Sequence, residues 1–319
     1  MLIAIVLVIA GFTILIKGAD WLVTGASSLA KKHQISDLAI GLTIVAFGTS
    51  APELVVNSIA SFQNHSDIVF GNVIGSNNFN LLFILGIVGL IYPVTVHSNT
   101  VWKEIPISLF AVVILYVLTN GFILQGDNVL SRLDGMILLV LFALFLFYVY
   151  QQMKIEHPAN EEIPINKMSN GKIWLLIIAG LAGLILGGKL VVTNAIEIAT
   201  YLGVSEKIIG LTIVAAGTSL PELVTSVLAA LKKNTDIAIG NIIGSNIFNL
   251  LFILPISALI RPTAYNPSFN TDVYLLAGGT FFLFVAMFTG QKKKFDRWEG
   301  GLFLGTFILY TIYLIGKEV

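Results

Sequence analysis

The heptapeptide Gly48-Thr49-Ser50-Ala51-Pro52-Glu53-Leu54 returns 169 residues later as Gly217-Thr218-Ser219-Leu220-Pro221-Glu222-Leu223. Outward from this stretch, Gly41–Pro93 aligns with Gly210–Pro262 without a gap, and 33 of the 53 positions are identical. Further back, Gly11, Gly18 and Thr24 match Gly180, Gly187 and Thr193 at the same spacing. Self-similarity at a fixed period means that one structural unit is built twice. The reading is a first repeat over 1–152, a polar linker over 153–171 and a second repeat over 172–319.

Composition says where such units reside. Of the 319 residues, 56% are hydrophobic and only 11% charged, and the mean hydropathy is +0.90. A water-soluble domain carries about 25% charged residues, so this chain lacks the polar surface to cover a globule. Its apolar residues run in blocks such as Leu2–Ile16, Leu81–Tyr92 and Met136–Tyr150, the pattern of helices in a bilayer. Blocks and breaks predict an all-α integral membrane protein of ten transmembrane helices, near 2–29, 38–62, 67–92, 103–120, 133–152, 172–200, 207–231, 236–260, 272–289 and 298–316. The first block lacks a basic leader and has a counterpart at Ile173–Ala199, so it reads as a retained helix. Zero net charge gives no reason to expect nucleic acid, and the absence of cysteine excludes disulfides and thiolate metal sites.

Five helices per repeat is an odd number, so the second repeat must enter the membrane inverted. Loop charges test this independently. Lys31, Lys32, Lys103, Lys154, Lys167, Lys172, Lys232, Lys233, Lys292, Lys293, Lys294 and Arg297 fall after odd-numbered helices; only Arg132, Lys207, Arg261 and Lys317 fall on the other side. The positive-inside rule puts the first set in the cytoplasm and both termini outside. The repeats even exchange their loop charges: Lys31 and Lys32 match Thr200 and Tyr201, while Gln63 and Asn64 match Lys232 and Lys233. Inverted repeats of this kind are typical of secondary transporters. The expected location is the cell membrane, multi-pass, with inorganic cations and lipid as partners and no obligate protein partner.

The heptapeptides carry the chemistry. Proline inside a helix removes a backbone donor and crowds the preceding turn, so each apolar helix should break there and free carbonyls such as those of Ala46 and Ala215. Beside each break stands a carboxylate, Glu53 or Glu222, with no lysine or arginine at similar depth in the same helix. A charge at bilayer depth costs about 2.5–3.5 kcal/mol, which a bound cation would offset. Thr49, Ser50, Thr218 and Ser219 offer hydroxyl oxygens nearby. A second element, Gly71-Asn72-Val73-Ile74-Gly75-Ser76-Asn77-Asn78-Phe79-Asn80, is matched by Gly240-Asn241-Ile242-Ile243-Gly244-Ser245-Asn246-Ile247-Phe248-Asn249. Ser76 and Asn80, like Ser245 and Asn249, are four apart and share a helix face. Carboxylates, hydroxyls, amides and carbonyls without sulfur or imidazole suit hard cations such as Ca²⁺. Two glutamates in a dry site can be neutralised by one Ca²⁺ or by several monovalent ions, so the loads compete and the chain should exchange them.

At these residues the chain resembles the sodium/calcium exchanger family, prokaryotic type, within the calcium/cation antiporter superfamily. The paired Gly-Thr-Ser-x-Pro-Glu-Leu and Gly-Ser-Asn-x-x-Asn elements look like that family's alpha repeats. The Gly-Asn-Ala-type motif of the proton/calcium branch is absent. The resemblance implies ion ligands at Thr49, Ser50, Glu53, Ser76, Asn80, Thr218, Ser219, Glu222, Ser245 and Asn249, with the carbonyls of Ala46 and Ala215. It implies exchange of Ca²⁺ for Na⁺ by alternating access, with the first and sixth helices moving as a pair; H⁺ is the alternative counter-ion. No cofactor is implied. Asn249 departs from members that carry aspartate there, which leaves two carboxylates to balance the ions.

Other features read as structural. Gly11, Gly18 and Gly25, with Gly180 and Gly187, form smooth strips for close helix packing or sliding. Lys17 and Asp20 could pair on one face. Asp67 and Asp236 look like helix caps. His33, His65, His97 and His157 fall in loops, and Lys292–Lys294 reads as a topology signal. An intramembrane hydrolase built on Ser50 or Ser219 would need a base that is missing, so the chain does not read as an enzyme.

Overall fold

The computed structural model describes residues 2–96, 98–121, 128–155, 168–202, 215–289 and 293–318. Most of the 153–171 linker, His97, His157 and the beginning of the 207–231 helix lie outside the described residues.

The first apolar block folds as one 32-residue helix, α1 (Leu2–His33). The second is divided. Ser50 adopts φ −84°, ψ 6°, in the sparsely allowed bridge region, with Pro52 just beyond it. Helix α2 (Asp37–Thr49) and helix α3 (Ala51–Phe62) are therefore bent by 46° at this point. The third block forms α4 (Ser66–Ile91), and α5 (Thr100–Thr119) and α6 (Arg132–Ile155) complete the first half. In the second half, α7 (Asn170–Tyr201) corresponds to α1. Ser219, at φ −89°, ψ 9°, separates α8 (Ala215–Thr218) from α9 (Leu220–Leu231), reproducing the first break. Helices α10 (Thr235–Ile260), α11 (Asn270–Ala286) and α12 (Arg297–Glu318) follow.

These bounds lie within a few residues of the expected helices. Among the described residues, seven helices are long and apolar enough to cross a membrane, or eight with the bent pair α2–α3 taken as one span. Of the other expected spans, α9 has 12 described residues, the preceding 203–214 lying outside the description, and α12 falls outside the seven.

Helices α4 and α10 form the centre: 72% and 83% of their apolar windows are buried, against 28% for α1 and 33% for α7. Both central helices contain a wide π-turn, at Phe79–Ile84 and Asn249–Ile253. Helix α2 carries another just before its break, at Gly41–Val45. Such turns often mark functional positions because they re-aim side chains.

Small residues let backbones meet. A Cβ on Gly18 would lie 2.8 Å from the Gly180 carbonyl oxygen, and one on Gly187 would lie 2.8 Å from that of Gly11. The glycine strips thus press α1 and α7 together, the close-packing role expected of them.

Two short antiparallel ladders lace the halves together outside the helices. Val94 and Thr95 pair with Phe295 and Lys294, and Val129 and Leu130 pair with Ala264 and Thr263. Each ladder joins a strand after the third helical stretch of one half to a strand before the last helix of the other.

Some local expectations change. The caps are not Asp67 and Asp236: His65 precedes α4 without a side-chain cap, and Asn234 caps α10 by accepting from the Ile237 N–H at 3.1 Å. The two aspartates occupy the first turns, where a negative charge complements the helix dipole. Asp20 pairs not with Lys17 but with Lys232, at 2.5 Å, and Lys232 also donates to Thr24 Oγ1 at 3.0 Å. The turns before α4 and α10 place Asn64 and Lys233 in the left-handed region, at φ 63° and 59°. Asparagine tolerates this conformation, whereas a long side chain is strained there. Lys233→Gly is therefore expected to stabilise the protein by about 1 kcal/mol, checked by thermal melting in detergent.

Candidate ion-binding site

Pro52 is the second residue of α3, with Glu53 after it in the first turn, and Pro221 stands in the same way before Glu222 in α9. Each carboxylate therefore sits at the positive end of a helix dipole. Both are buried, Glu53 at 0% and Glu222 at 1% exposure.

The two breaks cross. Ser50 Oγ donates to Glu222 Oε1 at 2.8 Å, and Ser219 Oγ donates to Glu53 Oε1 at 3.3 Å. Each glutamate is thus held by the serine of the opposite repeat, and Ser245 Oγ adds a bond to Glu222 Oε1 at 3.4 Å. The threonines cross as well: Thr49 Oγ1 donates to Asn241 Oδ1 at 3.0 Å, and Thr218 Oγ1 donates to Asn72 Oδ1 at 3.2 Å.

Seven buried oxygens of α3, α4, α9 and α10 have no hydrogen-bond partner among the described residues: Glu53 Oε2, Glu222 Oε2, Ser76 Oγ, Asn80 Oδ1, Asn249 Oδ1, Asn78 Oδ1 and Thr225 Oγ1. The first five belong to residues that the sequence singled out as ligands; Asn78 and Thr225 do not. No ion pair formed among the described residues involves Glu53 or Glu222. A buried acceptor without a donor, and above all a buried carboxylate without a counter-charge, is costly. Two carboxylates and neutral oxygens are a donor set for a hard cation.

The expected freed carbonyl of Ala46 is corrected. It accepts the Ser50 N–H at 3.0 Å and the Thr49 hydroxyl at 3.3 Å. A proline withdraws its bond from the residue four earlier, which here is Gly48, not Ala46; in the second repeat it is Gly217. Ala215 is the first described residue of α8.

Sequence reasoning missed the residues that hold this set in place. Asn72 and Asn241 receive the threonine hydroxyls of the opposite repeat and are anchored in turn: Asn72 Nδ2 donates to Asn57 Oδ1 at 2.7 Å and Asn241 Nδ2 to Ser226 Oγ at 2.9 Å. Asn77 and Asn246 bond to Asn249 and Asn80 across the repeats. The available signal was the duplication itself, since all four asparagines recur at the 169-residue spacing.

A multi-helix membrane protein with crossed helix breaks around two buried carboxylates is, in class, an ion carrier. The family model "Sodium/calcium exchanger protein" matches residues 3–151 and 172–316, and the chain belongs to this family of membrane antiporters. It is 35% identical to inner membrane protein YrbG of Escherichia coli (strain K12), covering 98% of this chain and 97% of that protein. It is 30% identical to sodium/calcium exchanger MaX1 of Methanosarcina acetivorans, covering 97% of each. The solved sodium-calcium exchanger NCX_Mj, soaked with zero Na⁺ and Ca²⁺, superposes with a TM-score of 0.84 at 31% identity, covering 98% of this chain and 99% of that one.

Proposed function

We propose that this chain is a Na⁺-driven Ca²⁺ antiporter of the cell membrane, with ten spans in two inverted five-helix repeats and both termini outside. One observation carries the reading: Ser50 and Ser219 each bind the glutamate of the other repeat, while the second oxygen of each glutamate has no partner among the described residues. Glu53 and Glu222 supply the charge that Ca²⁺ or Na⁺ balances. Thr49, Ser50, Ser76, Asn80, Thr218, Ser219, Ser245 and Asn249 supply neutral oxygens, and the carbonyls of Ala46 and Ala215, with those of Gly48 and Gly217, are the candidate backbone ligands. The gap in the family match, 152–171, agrees with a linker between repeats. The names of MaX1 and NCX_Mj support sodium and calcium as the ions.

Exchange follows from charge. The empty site would carry two uncompensated carboxylates through a low-dielectric region, which is disfavoured. Only loaded forms cross, α1 and α7 moving together against the central helices. The test is Ca²⁺ uptake into proteoliposomes with Na⁺, K⁺ or a proton gradient inside. Saturable uptake that requires internal Na⁺ at fixed pH is expected. Uptake that follows the pH gradient regardless of Na⁺ would establish proton coupling instead, and flux with no counter-ion at all would refute exchange.

A further inference from the structure

A carboxamide presents either an oxygen, which attracts a cation, or an NH₂ group, which repels it. The two ends are told apart by what each faces. In the centre of this protein two backbone carbonyls make that distinction. Asn77 Nδ2 donates to the Asn246 carbonyl oxygen at 3.3 Å, and Asn246 Nδ2 donates to the Asn77 carbonyl oxygen at 3.3 Å. A backbone carbonyl only accepts, so the NH₂ end of each of these amides is fixed. Their Oδ1 atoms are then the ends left to face the neighbouring asparagines. Asn77 Oδ1 accepts from Asn249 Nδ2 at 2.9 Å, and Asn246 Oδ1 accepts from Asn80 Nδ2 at 3.2 Å. With their NH₂ groups engaged, Asn80 and Asn249 have only Oδ1 to offer, and these are two of the buried oxygens without a partner. All four side chains are nearly inaccessible, at 0–2% exposure, so bulk water is not available to turn the amides over.

We infer that Asn77 and Asn246 are positioning residues that lock the amides of Asn249 and Asn80 oxygen-first, each in the opposite repeat, and so set the affinity for cations. This rests on the proposed role of Asn80 and Asn249 as ion ligands. The lock matters only for an amide. A carboxylate shows oxygen whichever way it turns, so aspartate at the locked position has no need of it.

The experiment is a set of double-variant cycles in the full-length protein, read by Ca²⁺ titration of purified protein, by Na⁺-driven Ca²⁺ uptake and by thermal melting. Asn77→Leu raises the Ca²⁺ concentration for half-saturation by about tenfold, the effect of losing one buried hydrogen bond and its orientation. Asn249→Asp in that background restores it to within about twofold, and Asn80→Asp does not. The mirrored cycle is Asn246→Leu, rescued by Asn80→Asp and not by Asn249→Asp. Where leucine prevents folding, Asn77→Ser and Asn246→Ser carry the same cycles. Rescue by either aspartate alike, or by neither, in variants that melt like the parent overturns the lock. A parent protein that binds and moves no Ca²⁺ refutes the exchanger reading itself, which separates the two failures.

Discussion

Glu53→Gln and Glu222→Gln each abolish Na⁺-driven Ca²⁺ uptake while the protein still inserts and melts as a folded species. Glutamine keeps the shape of the side chain and an acceptor for the serine of the opposite repeat, so the bonds from Ser219 and Ser50 can persist. What disappears is one of two negative charges at a fully buried position. A divalent ion would then carry a positive charge without a partner, and an uncompensated buried charge costs about 3–5 kcal/mol. That corresponds to a loss of affinity of roughly a hundredfold to a few thousandfold, enough to extinguish transport at ordinary Ca²⁺ concentrations. Because the breaks cross, the two substitutions should be about equally severe. Substantial uptake in either single variant would remove that carboxylate from the ion path.

The second large effect is expected at the glycine strip. Gly18→Leu places a side chain where even a Cβ lies 2.8 Å from both the Gly180 carbonyl oxygen and the Leu184 backbone nitrogen. Backbone cannot swing aside as a side chain can, so α1 and α7 must separate along their contact. Overpacking of this kind costs about 1–3 kcal/mol, and more where backbone is the obstacle. Exchange should fall by at least about tenfold, with a lowered melting temperature. Gly188→Leu is the control: it lies on α7, the helix that Gly18 packs against, but nothing lies within 4 Å of its Cβ position. Unimpaired exchange in Gly18→Leu, or equal damage from Gly188→Leu, would show that close approach along this strip is not required.

The parts of the site legible in sequence are those whose chemistry is unusual where they stand. A glutamate beside a proline in an apolar helix is conspicuous once, and repetition at Glu222 makes accident implausible. The helix breaks were legible too, because proline acts locally; the error at Ala46 came from counting its effect to the wrong carbonyl, and the spacing from Pro52 to Gly48 was there to be read. The crossing of the two breaks was not legible. Ser50 with Glu222 and Ser219 with Glu53 are 172 and 166 residues apart, and nothing in either repeat says which serine serves which acid. The asparagines were passed over for a related reason. Within one repeat, Asn72 and Asn77 look like ordinary polar residues of a membrane helix, and their roles emerge only against the other repeat. The π-turns that carry Asn80 and Asn249 have no composition of their own. Caps misassigned to Asp67 and Asp236 reflect the precision of helix ends read from sequence, a residue or two.

The ion pair between Asp20 and Lys232 has no copy in the duplication. Its repeat counterparts are Lys189 and Gln63, which cannot form one. In the proposed cycle the repeats exchange roles, and the mirrored arrangement would put Lys189 beside Gln63. This pair then contributes a difference in free energy between the two ends of the cycle. At side-chain exposures of 42% and 36% that is at most about 1 kcal/mol, a lean of up to roughly fivefold in the resting population. Ions arriving on the less populated side must first supply that difference from their own binding energy. A carrier whose ligands are almost perfectly symmetric would therefore show unequal apparent affinities on its two faces.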